Sequence, residues 1–470
     1  MSRKLATMFL PSERGRFMRK WILAAVVGLL ALAAAGSWGY SQYTANRRLE
    51  NYLSNRYQRA FYDLASQTQS LEVLLSKSMV ASDPRLDSNL LMDIRQQAAF
   101  AQSNLGQLPL NDALAGRTAK FLSQVGDYAD SLARQVNRGE AIDVEHWDTL
   151  NSLYQQAAAL NSELQGMQAG VARNNFYFGE MVRQVRNKLQ KPPDDLAKTD
   201  FQSMDKEMQR YPALIYDGPY SEHLERTEPR DLSGLGDIDA PEAEQRALAF
   251  IDRQGGADYQ ARVTGKTNGR IPAHRVEVTR VGGPDGAATV LDVSQQGGKV
   301  IWMMNSRPTG GQTVSIEEAR RKALQFLSSR GFGEMRSTYF QRHGNSVTFN
   351  FAALQDGVTL YPDLVKVTIA LDNGEVTGTE TSGFLMSHRQ RTLPEAAVSR
   401  EHARAVINPR LNVSGGDLVL IPVGVSDEKL AYEFHGKLGE DSYLIYVNAA
   451  NGREENVLKL IETPGGTLTM

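Results

Sequence analysis

The chain has no cysteine in its 470 residues. That excludes disulfides, thiol nucleophiles, thiolate zinc sites and iron–sulfur clusters together. Cohesion must come from apolar cores, helix packing and sheets. Neither sign of charge is in excess: Lys+Arg number 52 against Asp+Glu 54, a net of −2. No overall field therefore draws the chain to nucleic acid. Histidine is sparse, and none of the seven (His146, His223, His274, His343, His388, His402 and His435) forms an i, i+4 pair beside a Glu, so a conventional metal site has no support. No serine lies in a Gly-x-Ser-x-Gly elbow, and no spacing singles out an acid/base pair of carboxylates. Gly265-Lys266-Thr267 has the ending of a phosphate loop, but Gln260 stands where the earlier Gly is needed, so it reads as a hairpin turn. These absences leave no catalytic residue, no cofactor and no metal, and the chain is not expected to be an enzyme.

One long uncharged run is present. Arg3, Lys4, Arg14, Arg16, Arg19 and Lys20 precede a stretch free of charge from Trp21 to Asn46. Its apolar heart, residues 21–40, has the ~20-residue length that spans a bilayer as helix. Trp21 opens it, and Trp38, Tyr40 and Tyr43 close it where an aromatic belt belongs. The basic cluster upstream places residues 1–20 in the cytoplasm and everything after the run outside it. The competing reading is a signal peptide cleaved near Ala33–Ala35.

At roughly 150 residues per domain, the chain has room for two to four units. Residues 41–190 repeat apolar positions at helical spacing, as in Leu53, Tyr57, Ala60 and Leu64, or Leu150, Leu153, Ala157 and Leu160. Breaks at Ser82–Pro84, Gly106–Asn111 and Asn137–Asp143 predict about four helices in a bundle. Lys191-Pro192-Pro193 ends the pattern. The connector, residues 191–237, carries a dense aromatic segment: Tyr211, Pro212, Leu214, Ile215, Tyr216, Asp217, Gly218, Pro219, Tyr220 and His223. So many large apolar groups are unfavourable in water, so the segment should pack on something and is the candidate interaction motif. His223 at its end reads as a local backbone contact.

After Ile238 a helix followed by strands recurs. Pairing residue n with n+76 matches Glu242/Glu318, Ala243/Ala319, Ala247/Ala323, Phe250/Phe326, Gly298/Gly374 and Val300/Val376. Ser315 with Glu318, and Asp239 with Glu242, form capping boxes, so the recurring Glu residues, Glu401 included, are read as structural. Arg320-Arg321-Lys322 reads as a solvated face. A worn third copy opens at Ser399–Ala403 and reaches Asn451-Gly452, but Glu454 stands where Val300 and Val376 stood, which predicts an edge or divergent last strand. The expected fold class is α+β: an N-terminal transmembrane helix, an all-α bundle, then three modules of a helix on an antiparallel sheet at 238–310, 311–388 and 389–470.

This order resembles the spore germination protein YpeB family. The likeness is sharpest in Phe176-Tyr-Phe-Gly-Glu-Met-Val182 and in the segment from Tyr211 to His223, and the modules look like PepSY-type repeats. The resemblance implies a non-enzymatic protein of the spore inner membrane, its bulk on the cortex side, that binds, stabilises or restrains a cortex-lytic peptidoglycan hydrolase of the SleB type. Cell-wall peptidoglycan is a further expected contact. The rival readings are a glycosidase using two carboxylates and an extracytoplasmic sensor or protease-inhibitor domain. Edge strands of the modules and the aromatic connector are the expected surfaces.

Overall fold

Four helices come first in the computed structural model: α1 (Glu13–Ser78), α2 (Pro84–Leu105), α3 (Asp112–Asn137) and α4 (Val144–Asn174). The structure describes residues 13–108, 112–140, 142–174, 229–251, 259–281, 288–423, 427–463 and 466–470. The helix breaks fall where the punctuation predicted. Pro84 opens α2, where its missing N–H leaves no helical bond unmade. Gly139 follows α3 with φ of +85°, a left-handed stop that glycine adopts freely. Helix α1 passes unbroken from the basic segment through the apolar run. Among the described residues no helix is long and apolar enough to cross a membrane. Within residues 21–40, only Leu29, Ala33 and residues 35–40 have described side chains, and these are exposed.

The chain divides into two compact units. One takes Met1–Thr68, Ala98–Gln124 and Ala159–Met208. It is helical where described, with Leu64, Ala101, Leu105 and Leu122 buried and Asn104 donating to Gln67 at 3.0 Å. The other takes Gln69–Gln97, Val125–Ala158 and Gln209–Met470, and holds every described strand.

In this second unit, α5 (Ala240–Ile251) precedes β1 (Tyr259–Thr267), β2 (Ala273–Arg280), β3 (Ala288–Ser294) and β4 (Val300–Asn305). Helix α6 (Ile316–Ser329) precedes β5 (Met335–His343), β6 (Ser346–Gln355), β7 (Val358–Ala370) and β8 (Val376–Glu380). Two short helices, α7 (Ser382–Ser387) and α8 (Arg400–Ala405), lead to β9 (Asn412–Val423), β10 (Asp427–Leu438), β11 (Asp441–Asn448), β12 (Glu454–Thr463) and β13 (Gly466–Thr469). A helical region followed by a sheet-rich one is an α+β chain. The caps sit as the spacing required: Asp239 Oδ1, Ser315 Oγ and Ser399 Oγ accept from the backbone N–H of Glu242, Glu318 and His402. Ala243, Ala247, Ala319, Ala323 and Ala403 are all fully buried, and small side chains there let each helix lie close on its strands.

The strands form one sheet in the order β1-β2-β3-β4-β8-β7-β6-β5-β13-β12-β11-β10-β9. Val263, Val276, Leu291, Met303, Thr379, Val367 and Phe349 are successive partners across seven strands, so they share the face that α5 and α6 cover. Phe250 of α5 and Phe326 of α6, equivalent in the repeat, meet edge to face at 5.5 Å under the Arg330 guanidinium. A parallel pairing of β7 with β9 then joins β5–β7 and β9–β13 into a ring, with β13 against β5 as the other seam.

Three expectations are corrected here. Strand β12, with Glu454, is no edge: it pairs with β11 on one side and β13 on the other. Strand edges are partly taken up by pairing between successive strand groups, at β4–β8, β5–β13 and β7–β9. Of the two terminal strands, β9 meets β7 only at Val419 and Leu420, and β1 has its Val263 N–H covered by the Glu244 carboxylate at 2.8 Å. Gly265-Lys266-Thr267 is not a hairpin turn but lies in β1, where Gly265 closes a bulge.

Candidate functional site

Helix α8 has six residues, against twelve in α5 and fourteen in α6. So short a helix leaves part of the sheet face of β10–β12 for something else to cover. The helices of the same unit cover it. Val80 at the end of α1 joins the core that contains Tyr443, Ile445 and Val447 of β11. Trp147 of α4 and Asn408 both donate to the Met79 carbonyl at 3.2 Å, and the Arg410 guanidinium lies 4.6 Å from the Trp147 ring centroid. These bonds satisfy a carbonyl that the end of α1 leaves without a helical partner.

The junction is polar at its centre. Ser76 of α1 and Tyr443 of β11 share a 2.6 Å hydrogen bond with both side chains buried. Tyr154 of α4 donates to Asp441 at 2.8 Å, and Lys459 of β12 donates to the Tyr154 hydroxyl and pairs with Asp441, each at 2.9 Å. Burial, with Asp441 alongside, pushes both phenols well above the usual tyrosine range, so they keep their protons at any physiological pH. Glu454 lies on the same sheet face. Its Oε2 accepts from the Ser82 backbone N–H at 3.0 Å, in the turn that enters α2. Burial first, then the Asp87 and Asp83 charges, raise its pKa to about 8. Burial and Asp83 raise Asp87 to about 7.

A second network ties β7, β10 and the segment after α7. Arg391, its side chain 4% exposed, grips Asp363 of β7 through two nitrogens at 2.8 Å and Glu428 of β10 at 2.8 and 2.9 Å. Arg389 adds a contact to Glu428 at 2.9 Å. His388 Nδ1 lies 2.7 Å from Asp363 Oδ2, the oxygen that one Arg391 nitrogen also holds, and its ring stacks on Phe384 at 4.0 Å. Burial pulls the Arg391 pKa down, but the two carboxylates outweigh it and hold the guanidinium above its ordinary value. The arrangement fixes strands and presents no reactive group.

None of this favours hydrolysis. Glu454 and Asp87 have the raised pKa expected of a general acid, but both are buried, at 4% and 7% exposure, and no substrate reaches them in this arrangement. Among the described residues no group of three or more His, Asp or Glu side chains is placed to hold a metal. Residues Tyr211, Pro212, Leu214, Ile215, Tyr216, Asp217, Gly218, Pro219, Tyr220 and His223 lie outside the described residues, as does the segment from Phe176 to Val182. The described end of the connector is anchored: Arg230 and Asp231 donate to the carbonyls of Met386 and Leu385, and Leu232 is buried. The sequence reading missed the Ser76–Tyr443 and Ser82–Glu454 contacts. The one signal was Glu454 itself, a charge in place of valine.

A helical N-terminal region leading into PepSY-bearing sheet defines the class. The model for the YpeB N-terminal region matches residues 45–180, and the model for the YpeB sporulation PepSY1 and PepSY2 domains matches residues 197–394. The chain belongs to the YpeB sporulation protein family. It is 28% identical over 447 residues to "Sporulation protein YpeB" of Halalkalibacterium halodurans, covering 93% of this chain and 97% of that one. It is 27% identical to "Sporulation protein YpeB" of Bacillus subtilis, covering 94% and 98%. Among solved structures it is similar to the Bacillus megaterium YpeB C-terminal domain, at 29% identity and a TM-score of 0.42, covering 48% of this chain and 99% of that one. The family is one of sporulation and is not a known enzyme family.

Proposed function

We propose that this chain is a membrane-tethered, non-enzymatic protein of spore germination that binds a cortex-lytic peptidoglycan hydrolase of the SleB type and stabilises or restrains it in the dormant spore. Residues 21–40 serve as the single membrane anchor, with the bulk on the cortex side of the inner membrane. Three PepSY-type units, at 238–310, 311–388 and 389–470, supply binding surface together with the aromatic segment from Tyr211 to His223. The observation that carries the reading is membership of the YpeB family across both helical and sheet regions. The sealing of the raised-pKa carboxylates away from solvent supports it against a glycosidase. Tethering two proteins to one surface raises their effective concentration, so modest contacts suffice.

The test is direct. Purified chain incubated with cortex peptidoglycan releases no muropeptides, and the same chain captured from dormant spores carries a cortex hydrolase with it. Muropeptide release by the chain alone refutes the proposal.

A further inference from the structure

The carboxyl groups of Glu454 and Asp87 are the least satisfied polar groups at the junction. Glu454 Oε1 and Asp87 Oδ1 are both buried, and neither has a hydrogen-bond partner. One enters from β12 and the other from the first turn of α2, so they meet where the helices close over the sheet. Leaving two ionised carboxylates unpaired in such a place is strongly unfavourable, and the first relief open to them is to keep a proton.

Among the described residues no cation offsets them. From the turn before α2 comes Asp83, a third acid, held by Arg85 at 3.4 Å. Lys77 of α1 is lowered to about 8 by burial, and its counter-charge is Asp93 of α2. Lys459 of β12 is committed to Asp441 of β11. Arg404 of α8 donates to the Val413 carbonyl, and His402 of α8 packs beside Gly452. Glu455 of β12 bonds Lys429 of β10. Tyr443 stays neutral.

We propose that Glu454 and Asp87 form a proton-held latch: while protonated they let α2 and the end of α1 lie closed on β10–β12, and loss of the proton releases those helices from the sheet. Release uncovers the face carrying Tyr443, Glu454 and Lys459, which the chain otherwise keeps for itself. The repeat pattern fits this reading. The equivalent positions hold Val300, buried in the α5 core, and Val376, packed between the α5 and α6 cores, where no helix from outside the repeat has to come and go.

The direction follows from proton linkage. In the released state both acids meet water and titrate near the ordinary carboxylate values of about 4, whereas closure raises them to about 8 and about 7. The closed state therefore binds more protons across the intervening range, and closure weakens as pH climbs from about 5 to about 8. Lys77 acts in the opposite sense and only above about 8, so it does not produce a loss below that point.

Hydrogen–deuterium exchange on the full chain tests the latch at pH 6 and pH 8, with rates corrected for intrinsic pH dependence. Protection of amides across residues 79–92 and of β12 should fall at least tenfold between the two pH values, while amides of β6 around Phe349 keep theirs. Glu454→Gln keeps an acceptor for Ser82 but has no proton to lose, so its response should shrink to the share of Asp87, and only Glu454→Gln combined with Asp87→Asn should be flat over the same range. Asp87→Asn should halve the response on a logarithmic scale. Equal protection at both pH values in the native chain overturns the proposal. So does an equal fall in β6, which would report global unfolding, and so does a Glu454→Gln chain that responds like the native one.

Discussion

Replacing Arg391 by methionine keeps most of the aliphatic stem and removes the cation between Asp363 and Glu428. Asp363 is then fully buried with His388 as the remaining contact of the network, since its side chain has no exposure. Glu428 is less affected, because it is 15% exposed and keeps Arg389. Removing one partner of a buried ion pair costs ~3–5 kcal/mol, mostly the penalty of an uncompensated charge. With His388 and Arg389 still in place, the low end of that range applies, about 3 kcal/mol. Urea unfolding of the full chain, followed by circular dichroism, reads the loss as a drop in midpoint at unchanged slope. A companion chain with Arg391→Met, Asp363→Asn and Glu428→Gln recovers most of the stability, because no bare charge is left inside. A loss below ~1 kcal/mol for Arg391→Met, or a companion as unstable as the single variant, refutes the reasoning.

Stability of the chain should decline as pH rises from about 5 to about 8. The folded pKa of Glu454 is raised to about 8, so its contribution is intact below the unfolded value of about 4.5 and is lost through the folded one. At 1.36 kcal/mol per unit the decline from this residue is at most ~5 kcal/mol, and Glu454→Gln should remove that share in thermal melts at stepped pH, leaving the smaller share of Asp87. Tyr443→Phe should cost about 1 kcal/mol by stranding Ser76, and Ser76→Ala added to it should cost little more, as chemical denaturation of the pair will read. Gly374→Ala should cost ~1 kcal/mol. Its φ of +75° is left-handed and the added Cβ would meet Lys322 Cδ at 2.5 Å, although that flexible side chain can move aside.

Local features of the fold were legible. Pro84, Gly139 and the capping serines act within a few residues of themselves, so their sequence neighbours suffice to place helix ends. The n+76 match found the buried alanines and the left-handed glycines for the same reason. Pairings between repeats were not legible. Trp302 meeting Glu380, or Gln341 meeting Gly466, is decided by which sheet edges find each other, and hydrophobic alternation is silent on that. The junction was hidden for a further reason: Ser76–Tyr443 and Ser82–Glu454 join residues more than 360 apart in the chain. Glu454 stands out as odd in sequence but points only to an edge or divergent strand, because a buried acid needs a neighbour that sequence spacing does not reveal. The aromatic segment from Tyr211 to His223 keeps the standing it has from sequence.

One measurement bears most directly on whether this protein works by holding a neighbour. A photoactivatable crosslinker placed along the full-length chain in dormant spores, followed by mass spectrometry of what is attached, should recover a peptidoglycan hydrolase. Recovery of lipoproteins or transporters alone, with the hydrolase present in the same spores but never attached, would contradict the account.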